Sequence, residues 1–408
     1  MPPGAPQLER EQPPSPVRLP SAVRPRLPAS LSVAVPPGFG AGAPAAPGDP
    51  EVALASGRWV KWIGGASNQD LAAIEDLAGL YSLVGVHCLD LAADPAVVAA
   101  ARRGIAWATD RGAVSPWLMV SLSDGADPHF RKAWFDPRRC PPGCPRPCER
   151  LCPALAIPPP GAGQGVLEDR CYGCGRCRPA CPHGLIEERE QLLPAEAVPP
   201  LLAALRPDAI ELHTRIGREV PFAARLAQVR AAGIPLRRLA VSCGLELEGH
   251  GGGGVAGGQE PPSPAAQTDP LADRLAAELW NRYAQVRGAG FAPLWQLDGR
   301  PMSGDVGDGT ARAAVQLLRR LAPRLPPGPV QLAGGTNGRT LGLVEGLEGG
   351  LARQVSGVAF GSVARVRLQD VLGQAHGRGG RLLDQPDLLG GAIALAAELV
   401  TPWLLRPR

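Results

Sequence analysis

Cysteines are the residues of this chain with the clearest chemical signal, because eight of the ten fall into two close groups of four. The second group is Cys171, Cys174, Cys177 and Cys181, with gaps of two, two and three residues, and Pro182 follows it. Three thiolates on a short glycine-containing loop can bind three corners of one iron–sulfur cube. The proline favours an extended fourth cysteine, whose thiolate can reach a second cluster. The spacing therefore predicts two clusters, with 4Fe-4S at Cys171, Cys174 and Cys177.

The first group, Cys140, Cys144, Cys148 and Cys152, has gaps of three residues throughout. It also ends in a Cys-Pro pair. Because longer loops displace the thiolates, two types remain open for this cluster, 4Fe-4S and 3Fe-4S. Zinc is the alternative metal for both groups, but zinc sites usually have paired cysteines separated by a longer loop.

Together the two groups form an internal repeat that resembles the two-cluster ferredoxin module. In such a module Gly165–Glu168 would be the returning strand of a hairpin. The resemblance implies that the two halves exchange their fourth ligands. The implied sets are Cys171, Cys174, Cys177 with Cys152, and Cys140, Cys144, Cys148 with Cys181.

Composition narrows the class of protein. Of the 42 basic residues only Lys61 and Lys132 are lysines, and the arginines are scattered among acids, so we expect no nucleic-acid partner. No run approaches the roughly 20 apolar residues of a membrane span, and no signal peptide is recognised. We therefore expect a cytoplasmic protein in which cysteines serve metal or redox chemistry. Cys88 and Cys243 lie in apolar runs and are predicted to be buried thiols without a metal.

Short apolar runs alternate with longer amphipathic ones, the pattern of repeated βα units. The predicted strands are Trp59–Gly65, Val86–Ala92, Trp117–Leu122, Ala209–His213, Leu239–Cys243, Pro293–Leu297, Val330–Ala333 and Gly357–Phe360. Eight units favour a (β/α)8 barrel, an α/β fold, with the cysteines in an inserted ferredoxin-like α+β module. A doubly wound open sheet is the alternative.

The predicted organisation has six parts. They are a disordered Pro/Ala-rich tail (1–50), the first barrel units (51–135), the iron–sulfur module (136–190), the continued barrel (191–244), a Gly/Pro-rich flexible loop (245–268), and the last units with a C-terminal helix (269–408).

The carboxyl ends of barrel strands form the mouth where active sites gather. The candidate ligand-binding residues there are Asn68, His213, Asp298, Arg300, Gly334, Gly335, Asn337, Gly361 and Ser362. Gly-rich turns after the last two strands suggest a phosphorylated ligand or a flavin. Because the cysteines follow the third strand, we expect the clusters to lie over this mouth.

A family resemblance covers about residues 50–370. It rests on the run from Trp62 to Tyr81 (WIGGASNQDLAAIEDLAGLY), on Cys144–Pro153 (CPRPCERLCP) and on Trp295–Gly304 (WQLDGRPMSG). These segments resemble the cyanobacterial light-dependent period proteins, the LdpA family. The resemblance implies an iron–sulfur protein that conveys the light-dependent redox state to the circadian clock and modulates its period. It also implies partners, namely the clock's input kinase and core clock proteins.

Three functions are consistent with these observations. The first is a redox sensor, with quinone or ferredoxin as electron partner, rather than an enzyme. The second is an iron–sulfur oxidoreductase, with or without flavin, whose active site lies at the barrel mouth. The third is a structural role in which the clusters only staple the insertion.

Overall fold

A computed structural model describes residues 48–65, 70–127, 130–152, 154–168, 170–171, 173–190, 192–245, 269–300 and 307–407. The predicted tail (1–50) and Gly/Pro-rich loop (245–268) lie almost wholly outside these residues.

Ten strands are present in the described residues. In chain order they are β1 (Trp59–Gly65), β2 (Cys88–Ala92), β3 (Trp117–Ser123), β4 (Arg131–Trp134), β5 (Glu187–Glu190), β6 (Ala209–His213), β7 (Arg238–Cys243), β8 (Pro293–Asp298), β9 (Val330–Ala333) and β10 (Val355–Phe360). Eight of them close into a parallel barrel in the order β1-β2-β3-β6-β7-β8-β9-β10 and back to β1. The closure confirms the predicted (β/α)8 barrel and excludes the doubly wound open sheet.

Most helices follow barrel strands and cover their outer faces, whereas the first precedes β1 and two short ones belong to the cysteine insertion. The helices are α1 (Pro50–Ser56), α2 (Leu71–Leu83), α3 (Pro95–Thr109), α4 (Pro147–Leu151), α5 (Cys177–Ala180), α6 (Val198–Leu205), α7 (Glu219–Ala231), α8 (Pro270–Gly288), α9 (Ala311–Leu321), α10 (Thr340–Glu345), α11 (Leu351–Gln354), α12 (Ser362–Val366), α13 (Gln369–Gly377) and α14 (Pro386–Leu404). Several begin at an aspartate whose side chain accepts from the first turn, as Asp70 and Asp94 do for α2 and α3.

Two layers of side chains fill the barrel interior. The amino-terminal layer is apolar and comprises Leu54, Trp59, Cys88, Trp117, Met119, Ala209, Ala240 and Leu294. The layer above it, toward the carboxyl ends of the strands, is polar. The main hydrophobic core lies between the outer strand faces and the helices, where branched side chains alternate with the interior ones.

The cysteine insertion lies between β3 and α6, as expected. Its own sheet is the antiparallel pair β4–β5, which begins at Arg131. The expected returning strand at Gly165–Glu168 is not formed. This segment is a series of bends and turns, joined to the first half of the repeat by one backbone hydrogen bond, from Leu167 N to Ala156 O at 2.7 Å. Left-handed glycines at 161 and 163 turn the chain before a regular ladder can form.

One described helix, α14, is long and apolar enough to cross a membrane by length and composition. Its Ala392, Ala396, Leu399 and Trp403 are buried within the protein core.

Candidate functional site

The two halves of the cysteine insertion share one backbone geometry. Cys152 is the C-cap residue of α4, with φ −75° and ψ 108°. Cys181 is the C-cap residue of α5, with φ −77° and ψ 112°. In each half the amide four residues later donates to the sulfur, from Ala156 to Cys152 Sγ at 3.2 Å and from Leu185 to Cys181 Sγ at 3.4 Å. This agreement supports the internal repeat inferred from the two Cys-Pro pairs.

The second group of thiols is electrostatically connected to a cysteine of the first. Burial, and then the charges of Cys174, Cys171 and Cys152, raise the pKa of Cys177 to about 12. Burial likewise raises the pKa of Cys174 to about 11, and Cys152 and Cys171 contribute. The charge of Cys152 thus acts on this set, as expected if Cys152 is its fourth ligand.

The first group shows the reciprocal connection. Burial raises the pKa of Cys148, and the nearby thiols of Cys181 and Cys140 add to the effect. Cys140 Sγ also accepts from Arg146 Nη1 at 3.7 Å. Cys144 is half-buried and completes this set by its place in the sequence. The charge of Cys181 thus acts on Cys148, as expected if Cys181 is the fourth ligand of the first set.

The chemistry of this donor set fits iron–sulfur clusters. Amide-to-sulfur hydrogen bonds are typical of cluster ligands, and a third one runs from Ala133 N to Cys171 Sγ at 3.4 Å. Gly173 and Gly175 have φ of 74° and 73°, which lets the loop turn tightly between the thiols. Within the described part of the chain no three Cys, His, Asp or Glu side chains converge as they would around one metal ion. Thiolates of a cluster bind separate iron atoms and stand farther apart than the ligands of a single ion.

A second polar assembly fills the upper layer of the barrel interior around Lys61. Its ammonium, fully buried, donates to Asp90 Oδ2 at 2.7 Å and to Glu211 Oε2. Ser121 Oγ donates to the other oxygen of Asp90 at 2.6 Å. The second oxygen of Glu211 accepts from Gln296 Nε2 at 2.7 Å. Each charge in this layer therefore has a partner of opposite charge or a hydrogen-bond donor, as a buried charge requires.

These contacts set the protonation states of the layer. Burial lowers the pKa of Lys61, but the charges of Asp90 and Glu211 outweigh it and raise that pKa above its ordinary value. Burial also lowers the pKa of His213, whereas its hydrogen bond to Glu211 Oε1, at 3.1 Å, raises it to about 9. Near neutral pH both Lys61 and His213 are therefore charged. A charged Lys61 is an anchor for two carboxylates and not a nucleophile.

The predicted mouth residues separate into two groups. His213 and Asp298 do converge on the polar layer, since Asp298 accepts from Ser242 Oγ and from Gln296 Nε2 at 3.2 Å. Asn337 instead supports its loop: its amide donates to Gly307 O at 3.0 Å, and its oxygen accepts from the amide of Arg339 at 2.9 Å. The side chain of Asn337 thus stabilises the contact between two loops.

The Gly-rich turns after β9 and β10 have mainly structural contacts. A Cβ on Gly334, at φ 69°, would lie 2.8 Å from the carbonyl of Arg300, and one on Gly335 would lie 2.9 Å from the carbonyl of Thr310. These glycines allow two loops to pack closely. Gly361 precedes the five-residue helix α12, which begins at Ser362. Asn68 lies outside the described residues.

Sequence reasoning missed Lys61 as the centre of the barrel interior. Its partners Asp90 and Glu211 were also not among the predicted ligand-binding residues. One signal was present: the chain has only two lysines, and one stands in the apolar run of β1. Both lysines are buried in the fold. Lys132, which lies in the insertion, donates to Glu168 O at 2.7 Å.

The ends of the insertion are fastened to the barrel. Arg225 of α7 donates to Ser123 O at 2.9 Å and to Leu193 O at 3.2 Å, and so holds the exit from β3 and the return to α6. Arg218 pairs with the buried Asp124 at 3.1 Å. We call Arg218 and Arg225 the clamp.

One further contact joins the insertion to the polar layer. The ring of Phe130, which precedes β4, packs edge-on against His213 with ring centroids 5.3 Å apart. The residue just before β4, at the start of the insertion, therefore contacts the polar layer of the barrel directly.

Two family models match this chain. The LdpA Fe-S cluster-binding domain matches residues 140–192, and the light dependent period A C-terminal domain matches residues 201–402. A curated relative, "Light dependent period A" of Synechococcus elongatus, is 42% identical over 358 residues, which cover 86% of this chain and 93% of that protein. The insertion is accordingly an iron–sulfur cluster-binding domain.

Two solved structures were also matched, each at 12% identity. Tryptophan synthase of Mycobacterium tuberculosis aligns over 85% of this chain and 95% of its own, with a TM-score of 0.37. A putative fructose-1,6-biphosphate aldolase of Coccidioides immitis aligns over 85% and 90%, with a TM-score of 0.35. At these scores neither likeness bears on fold or function.

Proposed function

This chain belongs to the light dependent period A family, and on that premise we propose that it is a redox sensor that conveys the light-dependent redox state of the cell to the circadian clock. The observation that carries the proposal is the repeated cysteine geometry, in which the amides four residues after Cys152 and Cys181 donate to those sulfurs, within a segment that matches an iron–sulfur cluster-binding domain. We propose that two clusters held on these thiols exchange electrons with each other.

When bound, such clusters accept and release single electrons at potentials set by their surroundings. The surroundings differ between the two sets. Arg146 approaches Cys140 and pairs with Glu149 at 2.8 Å, which places a cation beside the first set. The second set is more deeply buried, because Cys171 and Cys177 are both buried, at 8% and 7% exposure, whereas Cys148 is the one buried thiol of the first set, at 6%. We propose that the looser first set, whose type remains 4Fe-4S or 3Fe-4S, is the more responsive of the two.

The chain's own residues offer a route for the signal. Arg225 of α7 holds both ends of the insertion, Arg218 just before α7 pairs with Asp124, and Phe130 contacts His213. A change in charge or shape of the insertion would therefore act on the barrel mouth. We propose that the clock's input kinase and core clock proteins read this altered surface, that a quinone or ferredoxin supplies the electrons, and that the protein acts in the cytoplasm.

An oxidoreductase with its active site at the barrel mouth is the second candidate. His213 and Asp298 favour it, because these ionisable side chains meet where barrels bind substrates. Full burial of Lys61 and the structural use of Asn337 and Gly334 favour the sensor instead. Stoichiometric flavin in the anaerobically purified protein, with turnover of a small substrate, would establish the oxidoreductase and displace the sensor.

The sensor proposal can be tested at the ends of the insertion, which the clamp residues hold against the barrel. The protein is purified without oxygen, poised at a series of potentials, and digested briefly with a protease that cleaves after arginine. We expect the digestion rate within residues 123–193 to change at the same potential at which the clusters change their absorbance. An identical digestion pattern at every potential would contradict sensing through the insertion.

A further inference from the structure

The two halves of the cysteine repeat differ at one position that their shared geometry makes equivalent. Three residues after Cys181 stands Gly184, with φ 60°, whose amide donates to Cys181 O at 3.2 Å. Three residues after Cys152 stands Leu155, with φ 49°, and its amide donates to Cys152 O at the same distance. The turn requires a left-handed residue, which glycine adopts freely and leucine does not.

Leu155 gains little from the packing of its side chain. It is 53% exposed, and its neighbour Leu151, the last residue of α4, is 46% exposed. A strained backbone and an exposed apolar side chain are both unfavourable in the isolated protein. Both become understandable if the side chain is buried in a complex.

The charges around these leucines indicate the kind of partner. Helices α4 and α5 pack together. The exposed charged side chains of these two helices are Arg150 and Arg178, and Arg178 lies 3.5 Å from Glu188 of β5. The one acid of this helix pair, Glu149, is engaged by Arg146. The exposed acids among the described residues of the insertion lie outside the helix pair, at Glu168 and on β5 at Glu187 and Glu190.

We propose that Leu151 and Leu155, flanked by Arg150 and Arg178, form a docking surface for a small acidic electron-carrier protein. The surface adjoins a proposed cluster ligand, because the amide next to Leu155 donates to Cys152 Sγ. One electron would pass from the reduced carrier, which is oxidised by one unit, to the site held by Cys152, which is reduced by one unit. The inference rests on the proposed function, since it requires clusters that can be reduced.

The experiment measures electron transfer by anaerobic stopped-flow mixing of the oxidised protein with a reduced, acidic plant-type [2Fe–2S] ferredoxin as probe. The variants are Leu155→Gly and Leu155→Asn, whose new residues suit a left-handed turn, and Arg150→Glu. The controls are Leu405→Gly, another exposed leucine, and Arg230→Glu on α7.

We expect both Leu155 variants to keep their iron, to melt no lower than the wild type, and to accept electrons at least about tenfold more slowly. Arg150→Glu should slow transfer and weaken its dependence on ionic strength. Reduction by dithionite, which needs no docking, should be equal in all variants.

Wild-type transfer rates in the Leu155 variants, with normal reduction by dithionite, would overturn the docking surface and leave the sensor standing. Equal rates with a basic carrier such as cytochrome c as with the ferredoxin, after allowance for driving force, would overturn the charge argument and the proposal with it. Clusters that dithionite cannot reduce would overturn both the docking surface and the redox sensor.

Discussion

Each thiol of the insertion has a position that assigns it to one of two sets, and the assignment is testable residue by residue. Cys152→Ser should disturb the same EPR signal as Cys174→Ser, although Cys152 lies in the other half of the repeat. Cys181→Ser should match Cys148→Ser. Cys88→Ser is the control, because this thiol lies inside the barrel and should leave the iron content intact. Equal iron loss in the control, or signals grouped by sequence half, would contradict the exchanged sets.

Lys61 neutralises two carboxylates in an environment that excludes water. Lys61→Met leaves Asp90 and Glu211 buried side by side, and we expect a loss of about 3–5 kcal/mol in stability. The melting temperature of the anaerobic protein would show it. The comparison variant is Lys132→Met, which removes the only other lysine and its hydrogen bond to the carbonyl of Glu168, and we expect it to cost less than Lys61→Met. Similar losses in both variants would contradict a special role for Lys61.

The ion pair of His213 and Glu211 gives stability a defined dependence on pH. The pKa of His213 is about 9 in the fold against an ordinary 6.5, so its contribution is complete below about pH 6.5 and is lost as pH rises through about 9. The shift corresponds to roughly 3 kcal/mol. We expect His213→Gln to melt below the wild type at pH 6.5, with the difference shrinking by pH 9.5. A difference that stays constant with pH would argue against the charged histidine.

The iron–sulfur domain could be predicted from the sequence because the spacing of the eight candidate ligands is local, with all of them between residues 140 and 181. The role of Lys61 could not, because its partners stand 29 and 150 positions away and become neighbours only when the barrel closes. Asn337 illustrates another long-range effect. A polar residue after a strand was interpreted as a ligand-binding group, and in the fold its side-chain amide donates to Gly307 O, in the loop before α9.

At the scale of elements, helix α7 connects the insertion to the barrel through the clamp. Arg225→Leu removes the hydrogen bonds to Ser123 O and Leu193 O, one at each end of the insertion. We expect faster proteolysis at both ends while the iron content stays unchanged. Arg230→Leu on the same helix is the control, since its side chain is exposed to solvent. The clamp would be disproved if both variants were cleaved at the wild-type rate.

Strand and helix positions were largely predictable, because buried parallel strands have continuous apolar runs and the intervening helices have polar faces. Three barrel strands, β1, β6 and β9, agree with their predicted bounds to the residue. The hairpin strand at Gly165–Glu168 was wrong. This segment has no long alternation of apolar and polar residues. Its conformation is therefore determined by the glycine turns that precede it and by the two cysteine groups that it joins. The strands β4 and β5, rich in charge, gave no strand signal.

At the scale of the whole molecule, counting βα units was enough to predict a barrel, because eight such units close on themselves. The position of the cysteines after β3 then placed the insertion on the mouth side, and the contact of Phe130 with His213 agrees with that placement. The partners and the direction of signalling are not encoded in local spacing. They depend on surfaces such as that of Leu151 and Leu155, whose exposure is visible only in the folded chain.

We propose that the insertion holds two reducible clusters on exchanged sets of thiols. Iron and sulfide analysis of the anaerobically purified protein, with low-temperature EPR of the oxidised and reduced forms, tests it most directly. We predict about eight iron atoms per chain, or about seven with a 3Fe-4S first cluster, and two separate signals that appear or disappear reversibly with potential. Four iron atoms, bound zinc, or signals that no physiological potential changes would contradict it.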